Sequence, residues 1–377
     1  MMKLTSSGES HGKAVAGIIE GLPSNLELDI DRINKDLALR QSGYGRGGRQ
    51  KIEKDRIEIV SGVRNRLTLG SPLMFAVVNR DYANWEEYMA PEGCDTSKKT
   101  LTRVRPGHAD LTGLKKYDQQ DARNILERAS ARETAVRVAA GSIARQLLGE
   151  LGVTVSGYVR AVCGIEDAGE YSMAEMDAAK GNPIWMPDSA KCKEAMARID
   201  ELKAKGDTAG GVVQVVVHGL KPGFGSCMQY DTKLDGILCG ALMGVQAVKG
   251  VEIGAGFEAA SLPGSRVHDE IYMEDGRFAR RTNRAGGIEG GMSNGEDIIV
   301  RAAFKPIPTL MKGLKTVDYV SHEATTAAGE RSDVCAICAA EIIAESVVAF
   351  EIARAVLDRI GGDSMKEVRE RYAALAD

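Results

Sequence analysis

Histidine is scarce in this chain, five among 377 residues, and two of the five stand in glycine turns. His11 lies in Gly8-Glu-Ser-His-Gly12 and His108 in Arg105-Pro-Gly-His-Ala-Asp110. Glycine lets a backbone turn tightly and come close to a ligand. An imidazole carried on such a turn suits general acid catalysis near neutral pH. The other three histidines read differently: His218 ends a valine-rich segment, and His268 and His322 sit beside acidic residues, so structural or surface roles are the default.

The second chemical signal is arginine. Between Arg40 and Arg66 basic residues outnumber acidic ones by five, although the whole chain carries a net charge of −4. A basic island in an acidic protein points to a small polyanion held by guanidinium forks, whereas a nucleic-acid binder shows a basic domain. A solvated basic face is the plainer alternative. Arg128 and Arg132 are spaced to share one helix face, an arrangement that costs an isolated helix about 0.2–0.5 kcal/mol and that a bound anion would relieve. Glu127 and Glu133 stand ready to neutralise them in a surface network instead. Lys305-Pro-Ile-Pro-Thr309 reads as a rigid turn that fixes Lys305. Asp333, in Arg331-Ser-Asp333, precedes a helical segment, where it serves either as a cap or in catalysis.

Three familiar patterns fail on context. Gly43-Tyr-Gly-Arg-Gly-Gly48 matches G-x-G-x-x-G but follows a helix, and Gly254-Ala-Gly-Phe-Glu-Ala259 follows a strand but meets Leu262-Pro-Gly264 before a helix can form. Neither supports a nicotinamide-binding domain. Gly8-Glu-Ser-His-Gly12 matches the G-x-S-x-G elbow of serine hydrolases without the strands that elbow needs before it. Cys335-Ala-Ile-Cys338 has no second pair at zinc spacing and reads as two buried thiols, so no metal site is expected.

The elements that must position these residues alternate throughout. Helices are expected over Asp29–Arg40, Asp118–Leu151 (the longest, with Gly141 and Gly149 as interruptions), Asp188–Lys205, Asp231–Lys249 and Val334–Ile360. Strands are expected at Ile57–Gly62, Leu73–Val78, Val153–Val162, Gly211–Leu220, Val251–Phe257 and Asp297–Phe304, with a long surface loop over 91–108. No linker divides the chain, so residues 1–377 read as a single mixed domain. Hydrophobic residues at 44% and charged residues at 27% exclude disordered and fibrous classes. No apolar run is long enough for a membrane span. Seven scattered cysteines and a polar start suggest a cytoplasmic protein with reduced thiols.

Taken in order, several segments together resemble chorismate synthases: Gly8-Glu-Ser-His-Gly12, Gly43-Tyr-Gly-Arg-Gly-Gly-Arg49, Arg105-Pro-Gly-His-Ala-Asp110, Ser130-Ala-Arg-Glu-Thr134, Ala247-Val-Lys-Gly-Val-Glu-Ile-Gly254, Gly286-Gly-Ile-Glu-Gly-Gly291 and Arg331-Ser-Asp333. The resemblance implies an α+β fold, a helical core sandwiched between antiparallel sheets, in a homotetramer. It implies a lyase of the shikimate pathway that eliminates phosphate from 5-enolpyruvylshikimate 3-phosphate to give chorismate, with reduced FMN. By the same resemblance Ser10, Arg40, Arg46, Arg49, Arg132 and Arg331 bind the substrate. His11 protonates the departing phosphate, His108 controls protonation of the reduced flavin, and Asp333 helps remove the substrate proton. Arg128, Ala129, Ser130, Ala131, Gln246, Ala247, Gly290, Lys305, Pro306, Ile307, Pro308, Thr309 and Arg331 would meet the flavin. The chain departs from the family pattern at Ala129, where serine is common, at Gln50, where methionine is frequent, and at Cys338 and Glu341, where proline and glycine are frequent. An external flavin reductase is the expected electron source, with NADPH acting only indirectly. Two rival readings are a serine hydrolase and a non-catalytic regulatory protein that binds a phosphosugar or nucleotide; the latter would leave both imidazoles idle.

Overall fold

The computed structural model describes residues 2–48, 54–327 and 333–376. Arg49, Gln50 and Arg331 lie outside the described residues.

Strands β1 (Lys3–Ser7), β2 (Ala14–Glu20), β3 (Ile57–Ile59) and β4 (Leu73–Val78) form one antiparallel sheet in the order β1-β2-β4-β3. Strands β5 (Thr154–Val162), β6 (Ile165–Glu166), β7 (Gly211–His218), β8 (Val248–Ile253) and β9 (Ile298–Phe304) form a second, also antiparallel, in the order β8-β9-β7-β5-β6. Strand β9 alternates buried with partly buried residues from Ile298 to Phe304 and β4 does so from Leu73 to Val77, whereas β7 is buried on both faces from Val213 to Val217. The period-2 pattern turns one face of each sheet toward a shared core.

That core is helical. Helix α1 (Ile30–Arg40) is capped by Asp29, whose carboxylate accepts from Asp31 N and Arg32 N. Helices α2 (Asp110–Tyr117) and α3 (Arg123–Ala129) follow, then α4 (Thr134–Gly149), α5 (Ser189–Ala204), α6 (Leu234–Met243) and α7 (Ile337–Ile360). Helices α4 and α7 pack along each other and are buried almost all round. Such helices belong inside a sandwich and not on its surface. Val136 of α4 meets β2 at Gly17, and Ile337 of α7 meets β7 at Gly211. The α+β sandwich implied by the resemblance is what the chain adopts.

Two helical expectations need correction. The 118–151 stretch is broken at Ser130, which is extended (φ −65, ψ 143) and caps a short 3-10 turn, Ala131–Glu133, before α4 begins. The longest helix is α7. Arg128 and Arg132 therefore do not share a helix face. The helix expected to reach Lys249 ends at Met243, and from Val248 the chain pairs with β9. Between them Ala247 takes a left-handed φ of 71, so cross-strand pairing overrides helical propensity.

Gly141 does not interrupt α4. A Cβ there would lie 2.3 Å from Ser346 O and 2.4 Å from Ser346 Cα, so glycine sets how closely α4 approaches α7. Alanine would gain helix propensity of up to about 1 kcal/mol, but it would collide with backbone that cannot swing aside. The collision should win. Gly141→Ala is expected to lose about 1–3 kcal/mol in urea unfolding; a variant as stable as the parent would contradict this packing.

Candidate active site

The turn between β1 and β2 presents Ser10 and His11. Gly8 makes it possible: its φ is +101, and a Cβ would fall 2.3 Å from Ala14 O. His11 is buried. Its main-chain N donates to Glu127 Oε2 and its Nδ1 meets Glu127 Oε1, both at 2.8 Å, while its ring stacks on Trp85 with centroids 3.9 Å apart. Burial alone would raise the Glu127 carboxyl. The hydrogen bonds and charge of His11, with Arg123 behind, outweigh burial and hold the group below its ordinary 4.5. Ser10 Oγ accepts from Ser130 Oγ at 3.1 Å.

Beside this turn, Arg40 at the end of α1 and Arg132 in the 3-10 turn converge on one carboxylate. Arg132 Nη1 donates to both Asp55 oxygens at 2.6 Å and Nε to Asn79 Oδ1 at 2.6 Å. Arg40 reaches Asp55 from Nη1 at 3.3 Å, Thr134 Oγ1 from Nε at 2.9 Å and Ala131 O from Nη2 at 2.8 Å. All three charged residues are buried. Among the described residues two guanidiniums face one carboxylate, which leaves a surplus of positive charge in a low-dielectric setting. Arg46 extends the basic region: Nη2 donates to Arg40 O at 3.5 Å and Nη1 pairs with Asp333 at 3.0 Å. Asp333 also accepts from Gly47 N at 2.5 Å, so it ties the glycine loop to the approach of α7 and does not cap that helix.

His108 repeats the His11 arrangement. Its Nδ1 lies 2.5 Å from Asp110 Oδ1, and Arg105 donates to the same carboxylate from Nε at 2.8 Å, from Nη2 at 3.0 Å and from its main-chain N at 3.0 Å. Arg105 Nη2 also lies 3.0 Å from His108 Nδ1. Since Nη2 only donates and the Nδ1 proton faces Asp110, the carboxylate is the partner of both. Asp110 is wholly buried. Burial would push it up, but the bonds and charges from His108 and Arg105 prevail and hold it far below its ordinary 3.8. Nε2 of His11 and Nε2 of His108 have no hydrogen-bond partner among the described residues.

Sequence reasoning passed over several of these groups. Asp55 had counted only as one acid within the basic island, and Glu127 only as a neutraliser of Arg128. Asn79 carried no signal in its surroundings. Trp85 was findable by rarity, as one of two tryptophans. Among the described residues no cluster of three or more histidine, cysteine or acidic side chains is arranged to hold a metal ion.

A family model described as chorismate synthase matches residues 2–357. The chain belongs to the chorismate synthase family. It is 53% identical to a chorismate synthase of Geobacter metallireducens, covering 100% of this chain and 99% of the relative. It is 51% identical to one from Symbiobacterium thermophilum, with 98% and 97% covered. A solved structure titled as a crystal structure of chorismate synthase superposes with a TM-score of 0.79 at 37% identity, covering 99% of this chain and 96% of the other.

The residues that the chorismate synthase resemblance assigns to the flavin form a connected band, with one outlier. Arg128 donates to Ser6 Oγ at 2.7 Å and to Gly8 O at 3.3 Å, and Ser6 Oγ in turn donates to Glu133 at 2.9 Å. Gln246 Nε2 donates to Glu133 at 3.4 Å, and its Oε1 is a buried acceptor without a partner among the described residues. Lys305 N donates to Ala247 O at 2.9 Å, while Lys305 Nζ donates to Gly107 O, next to His108. Thr309 Oγ1 accepts from Arg105 at 3.5 Å, Ile307 O accepts from Thr208, and Pro308 packs near Gly107. Ala129, Ala131 and Pro306 contribute small or rigid surface along the band. Gly290 is the outlier, in the turn between Ile288–Glu289 and Met292–Ser293, with Met292 and Cys227 nearest. Two of the positions where the chain departs from the family pattern are buried. Cys338 packs on Gly43, and Glu341 is fully buried beside Lys180 at 4.0 Å, turned toward β5 at Gly157.

Asp110 and Glu127 both have native values below those of the unfolded chain, so between the two values the unfolded state binds more protons. Their contribution is complete above pH about 4.5 and drains away as pH falls through the native values. In urea unfolding across that range, Asp110→Asn is expected to be less stable at neutral pH yet lose less stability on acidification. An unchanged acid slope would contradict the assignment.

Proposed function

We propose that this chain converts 5-enolpyruvylshikimate 3-phosphate into chorismate and inorganic phosphate, as a carbon–oxygen lyase at the last common step of the shikimate pathway to aromatic amino acids. The observation that carries the reading, within this family, is the buried Arg40–Asp55–Arg132 cluster with its surplus positive charge, in a chain that also holds two imidazoles by Nδ1 on buried carboxylates. The substrate has a phosphate and two carboxylates, and guanidinium forks match such groups. Ser10, Arg40, Arg46 and Arg132 hold them, with Arg49 and Arg331 assigned by resemblance alone.

The reaction is redox-neutral. The ring C–O bond breaks and its electron pair leaves with phosphate, a proton departs from C6, and a second ring double bond forms. His11, protonated, delivers a proton from Nε2 to the leaving phosphate. The Asp333 carboxylate takes up the C6 proton, its position fixed by Arg46 and Gly47 N. Burial around the arginines strengthens each of these charge interactions.

The residues fit a flavin. The orphaned Gln246 Oε1 supplies an acceptor for a ring N–H. Ala129, Ala131 and Ala247 leave room for a flat ring, and Arg128, Ser130, Gly290 and the 305–309 turn, Lys305 to Thr309, would complete the cradle. Reduced FMN, when bound, supplies transient electron density to the substrate and recovers it. His108 holds a proton at Nε2 toward that cradle. After β8, where a dinucleotide fingerprint needs a helix, the second glycine pattern runs into a 3-10 turn, Gly256–Ser261. We therefore assign the electrons to an external reductase, with NADPH acting through it. The same reading carries a single domain over 1–377 and a cytoplasmic homotetramer. Unpaired cysteines and the exposed Phe257, Phe278 and Met273 are in keeping with it.

An anaerobic assay with dithionite-reduced FMN is expected to release phosphate and chorismate together, and oxidised FMN to give neither. His108→Ala should cut turnover by about 10²–10⁴ while substrate affinity changes little. Equal activity with oxidised flavin would overturn the proposal.

A further inference from the structure

Sequence and family resemblance direct attention to His11 and are silent about what holds it. Three contacts do so. Glu127, on α3 and 116 residues away in sequence, takes the His11 main-chain N–H on one oxygen and Nδ1 on the other. Trp85 covers the ring face, and its own indole N–H is tied to Asp81 Oδ2 at 3.0 Å. Arg123 closes the arrangement, with Nη1 3.5 Å from Glu127 Oε1 and its guanidinium 5.1 Å from the Trp85 ring centroid; Lys99 lies over the same ring at 4.7 Å. The side chain of Glu127 is 2% exposed, so its two bonds to His11 are not shared with bulk water.

We propose that Glu127 is the positioning residue for His11: it fixes ring orientation and tautomer, leaving Nε2 as the only nitrogen at which a proton can arrive or depart. The chemistry follows from donor and acceptor types. A main-chain N–H is an obligate donor and a carboxylate only accepts, so both Glu127 oxygens must receive hydrogens, one of them from Nδ1. In the neutral ring the proton therefore resides on Nδ1, and Nε2 is left as the acceptor. Trp85 blocks one ring face and prevents the imidazole from tilting out of the Glu127 plane. Asp110 and Arg105 repeat the arrangement around His108, so both imidazoles face the site through Nε2 by the same device. Because α3 packs on α2 through Ile125, Leu114 and Ala122, one small apolar cluster supports both carboxylates.

The proposal rests on the assignment of His11 as an acid, but its decisive test does not require turnover. With histidine labelled in nitrogen-15, the ring spectrum at alkaline pH, assigned by the signal lost in His11→Ala, is expected to show the Nδ1–H tautomer. In Glu127→Gln the amide must turn its oxygen to the main-chain N–H and its NH₂ to Nδ1, so the tautomer should invert to Nε2–H. A parent spectrum already showing Nε2–H would overturn the proposal, and so would a folded Glu127→Gln with its tautomer unchanged. If Glu127→Gln does not fold, the parent spectrum decides alone. In the anaerobic assay Glu127→Gln should lower kcat about 10–10²-fold with KM changed less than about threefold, and an unaffected kcat would also count against positioning. A parent protein with the expected tautomer but no chorismate formation would sink the functional reading and leave the Glu127 assignment standing.

Discussion

Two guanidiniums share one buried carboxylate, and the site takes its character from that inequality. Removing a single ion from water costs several kcal/mol even after relaxation. Asp55 offsets part of that cost for Arg40 and Arg132, and Asn79, Thr134 and Ala131 supply acceptors for remaining N–H groups. What remains is a fixed positive potential in a dry setting, which an anion with several charged groups satisfies better than water can. The packing exists to hold this cluster together. Arg40 comes from the end of α1, Arg132 from the turn before α4, and both helices are locked by the apolar core they share with α7.

The histidines answer a complementary need. A cluster that attracts an anionic leaving group speeds its departure only if a proton can reach it from a known direction. The backing carboxylates give each imidazole one working nitrogen. They come from α2 and α3, short helices outside the main sandwich that pack on each other through a core of their own. The positioning layer thus rests on an apolar cluster separate from the main core.

Much of the fold was legible. Asp29 and Asp188 announced helix starts and do cap α1 and α5, and the strands expected at Leu73–Val78 and Asp297–Phe304 form as Leu73–Val78 and Ile298–Phe304. The failures have different causes. Ser130 breaks a run rich in helix formers through a local bond, its hydroxyl accepting from Arg132 N to cap the next turn, whereas Val248 leaves a helix because β9 offers a partner. The second is a tertiary effect that a local window does not contain. For the site, turn glycines marked His11 and His108, and charge marked the arginines. The partners that give those residues their chemistry come from afar: Glu127 meets His11 across 116 positions, and Asp55 meets Arg132 across 77. Periodicity carries no trace of such pairings.

The claim that the buried guanidinium forks bind the substrate is tested most directly by calorimetric titration of 5-enolpyruvylshikimate 3-phosphate at fixed ionic strength. Arg132→Lys keeps the charge but loses the planar fork. It is expected to raise Kd about tenfold or more, equivalent to about 1.4 kcal/mol. Equal affinity in the parent and in Arg132→Lys, with both proteins folded, would contradict the account.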